Sequence, residues 1–254
     1  MTAINDTFIL QAVVVFCRFG GCLLVLPGLS SARIPVSVRL YFALALSAAM
    51  VPNISLGDDV EVEPGRRDVG LLLSLVLTET SIGLTFGLVA RFLVAAVRFA
   101  GTAITNFIGL GTLPGLVADD IEPNPALSSF LAMTATLIIF LTDLHLQTLA
   151  ALVATYDVLP AGALLSAGEA LRMLVNATTV SFLLALKISA PFLVYGIVVN
   201  FLFGIASRFT PQIPAYFVSI PFLILGGLLL LFFALPLILD AFSTYYDALV
   251  LQGA

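Results

Sequence analysis

The chain alternates long apolar runs with short polar connectors. Apolar segments fall at about 8–26, 40–56, 69–97, 127–153, 173–203 and 215–239. No charged residue stands between Arg208 and Asp240. A helix crosses the hydrocarbon core of a bilayer with about 20 residues, so the longer runs are of spanning length. Lipid offers no hydrogen-bond partner, and a helix satisfies its backbone internally. A spanning barrel would instead need short alternating strands. The pattern predicts an all-α, polytopic membrane protein of about six long apolar helical segments, forming one membrane domain over 1–254. The third and fifth segments are the ones long enough to split.

The connectors differ in character. Pro27–Arg39 is short and carries Arg33 and Arg39. Residues 57–68 (GDDVEVEPGRRD) form the strongly polar run and are expected in water. Residues 98–126 read as a long Gly/Pro-rich connector. Residues 157–172 read as a turn followed by a short amphipathic helix, and 204–214 as a proline-bounded turn. Arg33, Arg39, Arg98 and Arg208 fall in odd connectors; Arg66, Arg67 and Arg172 fall in even ones. By the positive-inside rule this places the odd connectors in the cytoplasm and both termini outside. Pro191, Pro221 and Pro236 lie inside apolar segments and predict kinks. Gly83, Gly87, Gly196, Gly204, Gly226 and Gly227 predict close helix approach.

Composition sharpens this. Of 254 residues, 61% are hydrophobic and 10% charged, against about 25% charged in a soluble domain. The net charge of −5 excludes a nucleic-acid surface, which needs a basic face. Cys17 and Cys22 sit in an apolar run without CxxC spacing and read as packed free thiols. The N-terminus has no basic n-region, so the first segment is expected to remain as a helix.

Charges inside the apolar runs are the candidate sites: Arg18, Glu79, Arg91, Asp143 and Lys187. A charge at mid-membrane costs about 2.5–3.5 kcal/mol on insertion scales. Such groups mark a polar pathway, a structural pair or a contact between subunits. Glu79 and Lys187, deep in their segments, are expected to have partners. Arg91 reads as snorkelling near a helix end. His145 is the single histidine, and Asp143 does not share its helical face. Neither a metal site nor an HExxH arrangement is in sight. Gly109–Gly115 lacks the Lys-Ser/Thr ending of a phosphate loop, so nucleotide binding is rejected. The segment Asn106, Phe107, Ile108, Gly109, Leu110, Gly111, Leu113, Gly115 is apolar and glycine-rich. Two readings stand: a re-entrant loop or pore plug, which its apolar character favours, and a surface linker.

Several of these stretches, in order, resemble the FliR family of flagellar export proteins. Ala95–Gly101 (AAVRFAG) resembles its AAVRxAG run. Pro125–Phe130, Leu141–His145, Thr155-Tyr156 and Leu159–Gly162 follow its P-x-L…FL…H…P-x-G order. Ala190-Pro191, Arg208–Gln212 (RFTPQ), Phe217 and Pro221 resemble its AP…R-x-x-PQ…F…P block. Arg18, Pro27, Pro35 and Arg39 also fit. The chain departs at Thr102, where members commonly carry an acid, and at Ala118-Asp119-Asp120, where they often carry Asp-Pro.

The resemblance implies a core subunit of the flagellar type III export gate in the bacterial inner membrane. The helices would be kinked and packed in a larger helical assembly with several copies each of two smaller apolar gate proteins. Further export-apparatus membrane proteins and membrane lipid would surround it. Unfolded protein substrates would pass through its centre, with energy from the proton-motive force and a separate ATPase. No catalytic activity, cofactor or nucleic acid is implied. The 106–122 loop would close the channel. Arg18, Glu79, Arg98, Lys187, Arg208, Pro211 and Gln212 would serve as buried or assembly residues. A homologous virulence subunit shares these motifs. A small-solute secondary transporter would show two repeated halves, and the polar 57–68 loop has no counterpart.

Overall fold

The computed structural model describes residues 2–31, 33–54, 69–112, 126–161, 166–209 and 215–251. Among them run seven α-helices: α1 (Thr2–Val25), α2 (Val36–Met50), α3 (Val69–Phe107), α4 (Ala126–Leu141), α5 (Leu144–Val158), α6 (Ala167–Phe209) and α7 (Ala215–Leu251). Single 3-10 turns follow α2 and α3, at Val51–Asn53 and Leu110–Thr112.

Four helices (α1, α3, α6 and α7) are long and apolar enough to span, and there are five such spans if α4 and α5 count as one broken span. The second apolar segment is only the 15-residue α2, about 22 Å long and short of a hydrocarbon core. The six expected segments thus map onto α1, α2, α3, α4 with α5, α6 and α7. The splits are corrected. The third and fifth segments stay whole, and the fourth breaks where Asp143 adopts a left-handed φ of 57°.

Two connectors are also corrected. Residues 98–107 are not linker but the end of α3. Gly101 does not break it, because the missing Cβ is what lets α4 approach: a Cβ there would lie 2.7 Å from Ser128 Cα. Residues 167–172 are not a separate short helix but the start of α6. Ser166 and Glu169 form its capping box: the Glu169 N–H donates to Ser166 Oγ at 3.1 Å, and the Ser166 hydroxyl donates to Glu169 Oε2 at 2.8 Å.

The chain divides into two compact units. The first holds residues 1–92, 140–178 and 246–254; the second holds 93–139 and 179–245. In the first, Val14, Phe19, Cys22, Leu23, Ile82 and Leu152 are buried with Tyr246. The α1–α3 crossing rests on small residues. A Cβ on Gly83 would collide with the Arg18 carbonyl, and one on Gly87 would lie 2.7 Å from the Cys22 carbonyl. Two glycines four apart share one helical face and bring the backbones together. Gln11 donates to the carbonyls of Val51 and Ile54, tying α1 to the end of α2.

In the second unit the buried stripe of α3 is Leu93, Val97, Ala100, Ile104, continued by Ile108. Its three-and-four spacing is one face of a helix. Leu131, Ala135 and Ile139 of α4, Leu184, Ile188 and Phe192 of α6, and Leu223, Leu231 and Ile238 of α7 are buried in the same unit.

Candidate functional site

Two places concentrate the polar and special residues, one in each unit.

In the first unit Arg18 is fully buried and so is Glu79. Arg18 Nε donates to Glu79 Oε2 at 2.6 Å, and Nη2 to Oε1 at 3.1 Å. This is the two-pronged carboxylate geometry that only arginine offers. Nη1 donates to Thr155 Oγ1 at 3.0 Å, and both Nη atoms reach the Leu159 carbonyl, at 3.2 and 3.1 Å. Leu159 follows the last residue of α5, where carbonyls have no helical partner. The guanidinium thus caps α5 as well as pairing with α3. The Tyr156 ring lies against its other surface, with Arg18 Cζ 3.7 Å from the centroid. Each guanidinium nitrogen has a partner, as a charge in an apolar core requires. The Tyr156 hydroxyl is buried without a partner among the described residues.

The second place is the end of α3 and the turn after it. The Ile108 N–H still donates to the Ile104 carbonyl at 3.0 Å, and Gly109 turns the chain with φ 74°, a conformation that favours glycine. Ile108 is fully buried. It is seated against α7 at Gly227, where a Cβ would collide with its side chain, while a Cβ on Gly196 of α6 would lie 2.8 Å from the Phe107 carbonyl. The Tyr195 hydroxyl donates to the Phe222 carbonyl at 2.7 Å beside Gly226, joining α6 to α7. Phe107 and Leu110 are half-buried, and Asn106 and Gly111 exposed. The first part of the expected loop is therefore docked on two helices. Leu113, Gly115, Asp119, Asp120 and Glu122 lie outside the described residues.

The remaining charged candidates are scattered. Arg98 is exposed in the interior of α3, not at a helix end, because α3 runs to Phe107; Arg91 is likewise exposed and interior. Arg208 is exposed in the last turn of α6, where a cation complements the helix dipole. Lys187 is exposed rather than buried, with its ammonium 5.4 Å from the Tyr245 ring centroid. Pro211 and Gln212 lie outside the described residues. The His145 ring lies tilted by 35° against that of Phe140, with centroids 4.7 Å apart. No group of three or more His, Cys, Asp or Glu side chains that could hold a metal occurs among the described residues.

Sequence reasoning singled out Arg18 and Glu79 but not their pairing. It missed Gln11 and the Thr148–Tyr246 contact, 2.9 Å between hydroxyl oxygens, which no local pattern signals. Thr155-Tyr156 and Leu159 entered only as parts of a recurring order; the structure places all three on Arg18.

The comparisons with known proteins agree along nearly the whole chain. The model of bacterial export proteins, family 1, matches residues 9–249. The flagellar biosynthetic protein FliR of Caulobacter vibrioides is 28% identical over 239 residues, covering 94% of each chain. That of Aquifex aeolicus is 27% identical over 247 residues, covering 96% of this chain and 92% of its own. That of Escherichia coli is 27% identical over 212 residues, covering 84% and 79%.

Proposed function

This chain belongs to the bacterial export proteins, family 1, and on that premise we propose that it is a core inner-membrane subunit of the flagellar protein export gate. The match over residues 9–249 carries the reading. Residues 1–254 act as one membrane component, and the role is conduction of protein rather than catalysis. The similar proteins reported above are all flagellar, which favours the flagellar system over a virulence one.

The exposed surface supports an assembled state. Phe182, Leu186, Val194 and Phe201 of α6 and Leu225, Phe232, Phe233 and Leu237 of α7 are exposed. Such faces are covered by lipid or by other helices. In this reading the two smaller gate proteins cover part of them, and unfolded substrates pass through the assembly's centre. The 106–122 segment narrows that passage, with Ile108 as its anchor and Phe107 and Leu110 as apolar surface that excludes water. Arg18 and Glu79 hold α1, α3 and α5 in register rather than touch substrate.

The test is co-purification. An affinity-tagged chain expressed with the other export-gate proteins should isolate them as one stable complex, and alone should aggregate. A monodisperse solo chain that captures none of them would overturn the reading.

A further inference from the structure

A cavity of about 230 Å³ lies between α1, α2 and α3, wholly within the first unit. Its wall is mostly apolar, with Phe16, Leu23 and Leu24 of α1 and Leu40 and Ala43 of α2. It opens between the two helices, where Leu24 and Leu40 are exposed. Cys17 and Thr80, deeper in the wall, hydrogen-bond to each other and offer a ligand little. One cation also lines the cavity, Arg39. Its Nε donates to the Leu29 carbonyl at 2.9 Å, and Nη2 to the Ser31 carbonyl at 3.1 Å. Nη1 donates to no described residue, and no described carboxylate pairs with the guanidinium. Arg39 stands in the first turn of α2, where the helix dipole adds positive charge.

The order of these groups along α1 defines the ligand. The apolar span of α1 is Phe8–Val25, and Arg39 is tied to Leu29 and Ser31, just beyond its end. That is the level at which a bilayer's phosphates lie. From there the cavity runs inward along the span from Leu24 to Phe16, roughly 12 Å at 1.5 Å per residue. An anion is wanted at the outer end and a hydrocarbon at the inner one. Water does not satisfy such a wall: an apolar cavity of about 150 Å³ stays dry yet admits benzene. A helix does not fit, because it is about 10–12 Å across and that length of it needs several times the volume. An Asp or Glu reaching Arg39 from a neighbouring chain would leave the inner end, at Phe16 and Cys17, empty. A flexible hydrocarbon chain with an anionic head meets both ends.

We propose that this cavity is a binding site for one anionic phospholipid. One acyl chain enters between α1 and α2 as far as Phe16 and Cys17, and the phosphate accepts hydrogen bonds from Arg39 Nη1. The bound lipid fills the space between the spanning α1 and the short α2. The inference adds a ligand to the export-gate reading and rests only on its membrane setting.

Photolabelling of the full chain in its assembly, reconstituted into phosphatidylcholine vesicles, tests it. The probe is a trace of phosphatidylglycerol with a diazirine in the middle of one acyl chain, and labelled residues are mapped on peptides. The expected label falls on Phe16 and Cys17. Moving the diazirine next to the headgroup should move the label to Leu24 and Leu40. The same probes with a phosphatidylcholine headgroup should label these residues at least about five-fold less, since the arginine favours the anion. Arg39→Gln should abolish that preference and Arg39→Lys should keep it. Arg39 also holds the turn at Leu29 and Ser31, so a second variant leaves it in place. Ala43→Leu narrows the cavity from the α2 wall and should remove the label from Phe16 and Cys17, while exposed Phe8 stays labelled by surrounding lipid. Equal labelling by the two headgroups, label confined to exposed Tyr41 and Leu44, or labelling of Phe16 and Cys17 that survives Ala43→Leu would each overturn the lipid site and leave the export-gate reading standing. A chain that is not recovered with membranes would overturn both.

Discussion

Arg18 and Glu79, sixty-one residues apart in sequence, meet as a fully buried, doubly hydrogen-bonded ion pair, 2.6 Å at its shorter contact. The pair joins α1 to α3, and the same guanidinium closes the end of α5 through Leu159. One arginine therefore specifies how three helices of the first unit meet.

Breaking one half of this pair is expected to be worse than removing both. Glu79→Leu or Arg18→Met alone leaves an uncompensated buried charge, at a cost of about 3–5 kcal/mol. The double variant leaves apolar groups of similar size and should recover most of that loss. Thermal aggregation of the detergent-solubilised complex measures it. Equal loss in singles and double would show that the individual side chains, not their pairing, hold the unit.

The α1–α3 crossing should be intolerant at Gly83 and indifferent at Gly20. A methyl on Gly83 collides with the Arg18 backbone carbonyl, which cannot swing aside, whereas one at Gly20 meets Phe16 Cζ at 4.0 Å. Gly83→Ala is expected to reduce yield of folded protein strongly. Gly20→Ala should be neutral or stabilising by up to about 1 kcal/mol, through helix propensity. Similar behaviour of the two variants would contradict the packing described.

Much of this was legible in the sequence, at the level of segments. Hydrophobic runs located every long helix, and of the glycines read as close-approach points Gly83, Gly87, Gly196, Gly226 and Gly227 are such, whereas Gly204 has open space beside it, which corrects that expectation. Boundaries were harder where composition misleads. Gly101 and its neighbours look like linker, yet the glycine is there to admit Ser128. Burial of a particular charge was not legible. Glu79 and Lys187 look alike in sequence, both charges within apolar runs. One faces Arg18 in a core and the other faces outward. Only tertiary packing decides which face of a helix is inside. The pairing of Arg18 with Glu79 joins residues too far apart for any local period to reveal.

The seat of the 106–112 segment should control leakage. Gly227→Ala places a methyl against the Ile108 side chain, and Ile108→Ala empties the seat at a cost of about 2–5 kcal/mol. Either variant should unseat the segment, and cells carrying it should admit small ions or dyes that the unaltered gate excludes. Unchanged permeability with an assembled complex would return the segment to a plain linker.

The central claim is that this chain is required for flagellar protein export. The direct measurement is secreted filament protein in the culture medium of a strain lacking the chain, with and without the gene restored. Loss of secretion on deletion and recovery on restoration is the expected result, with Arg18→Met failing to restore it and Gly20→Ala succeeding. Normal secretion in the deletion strain would contradict the account.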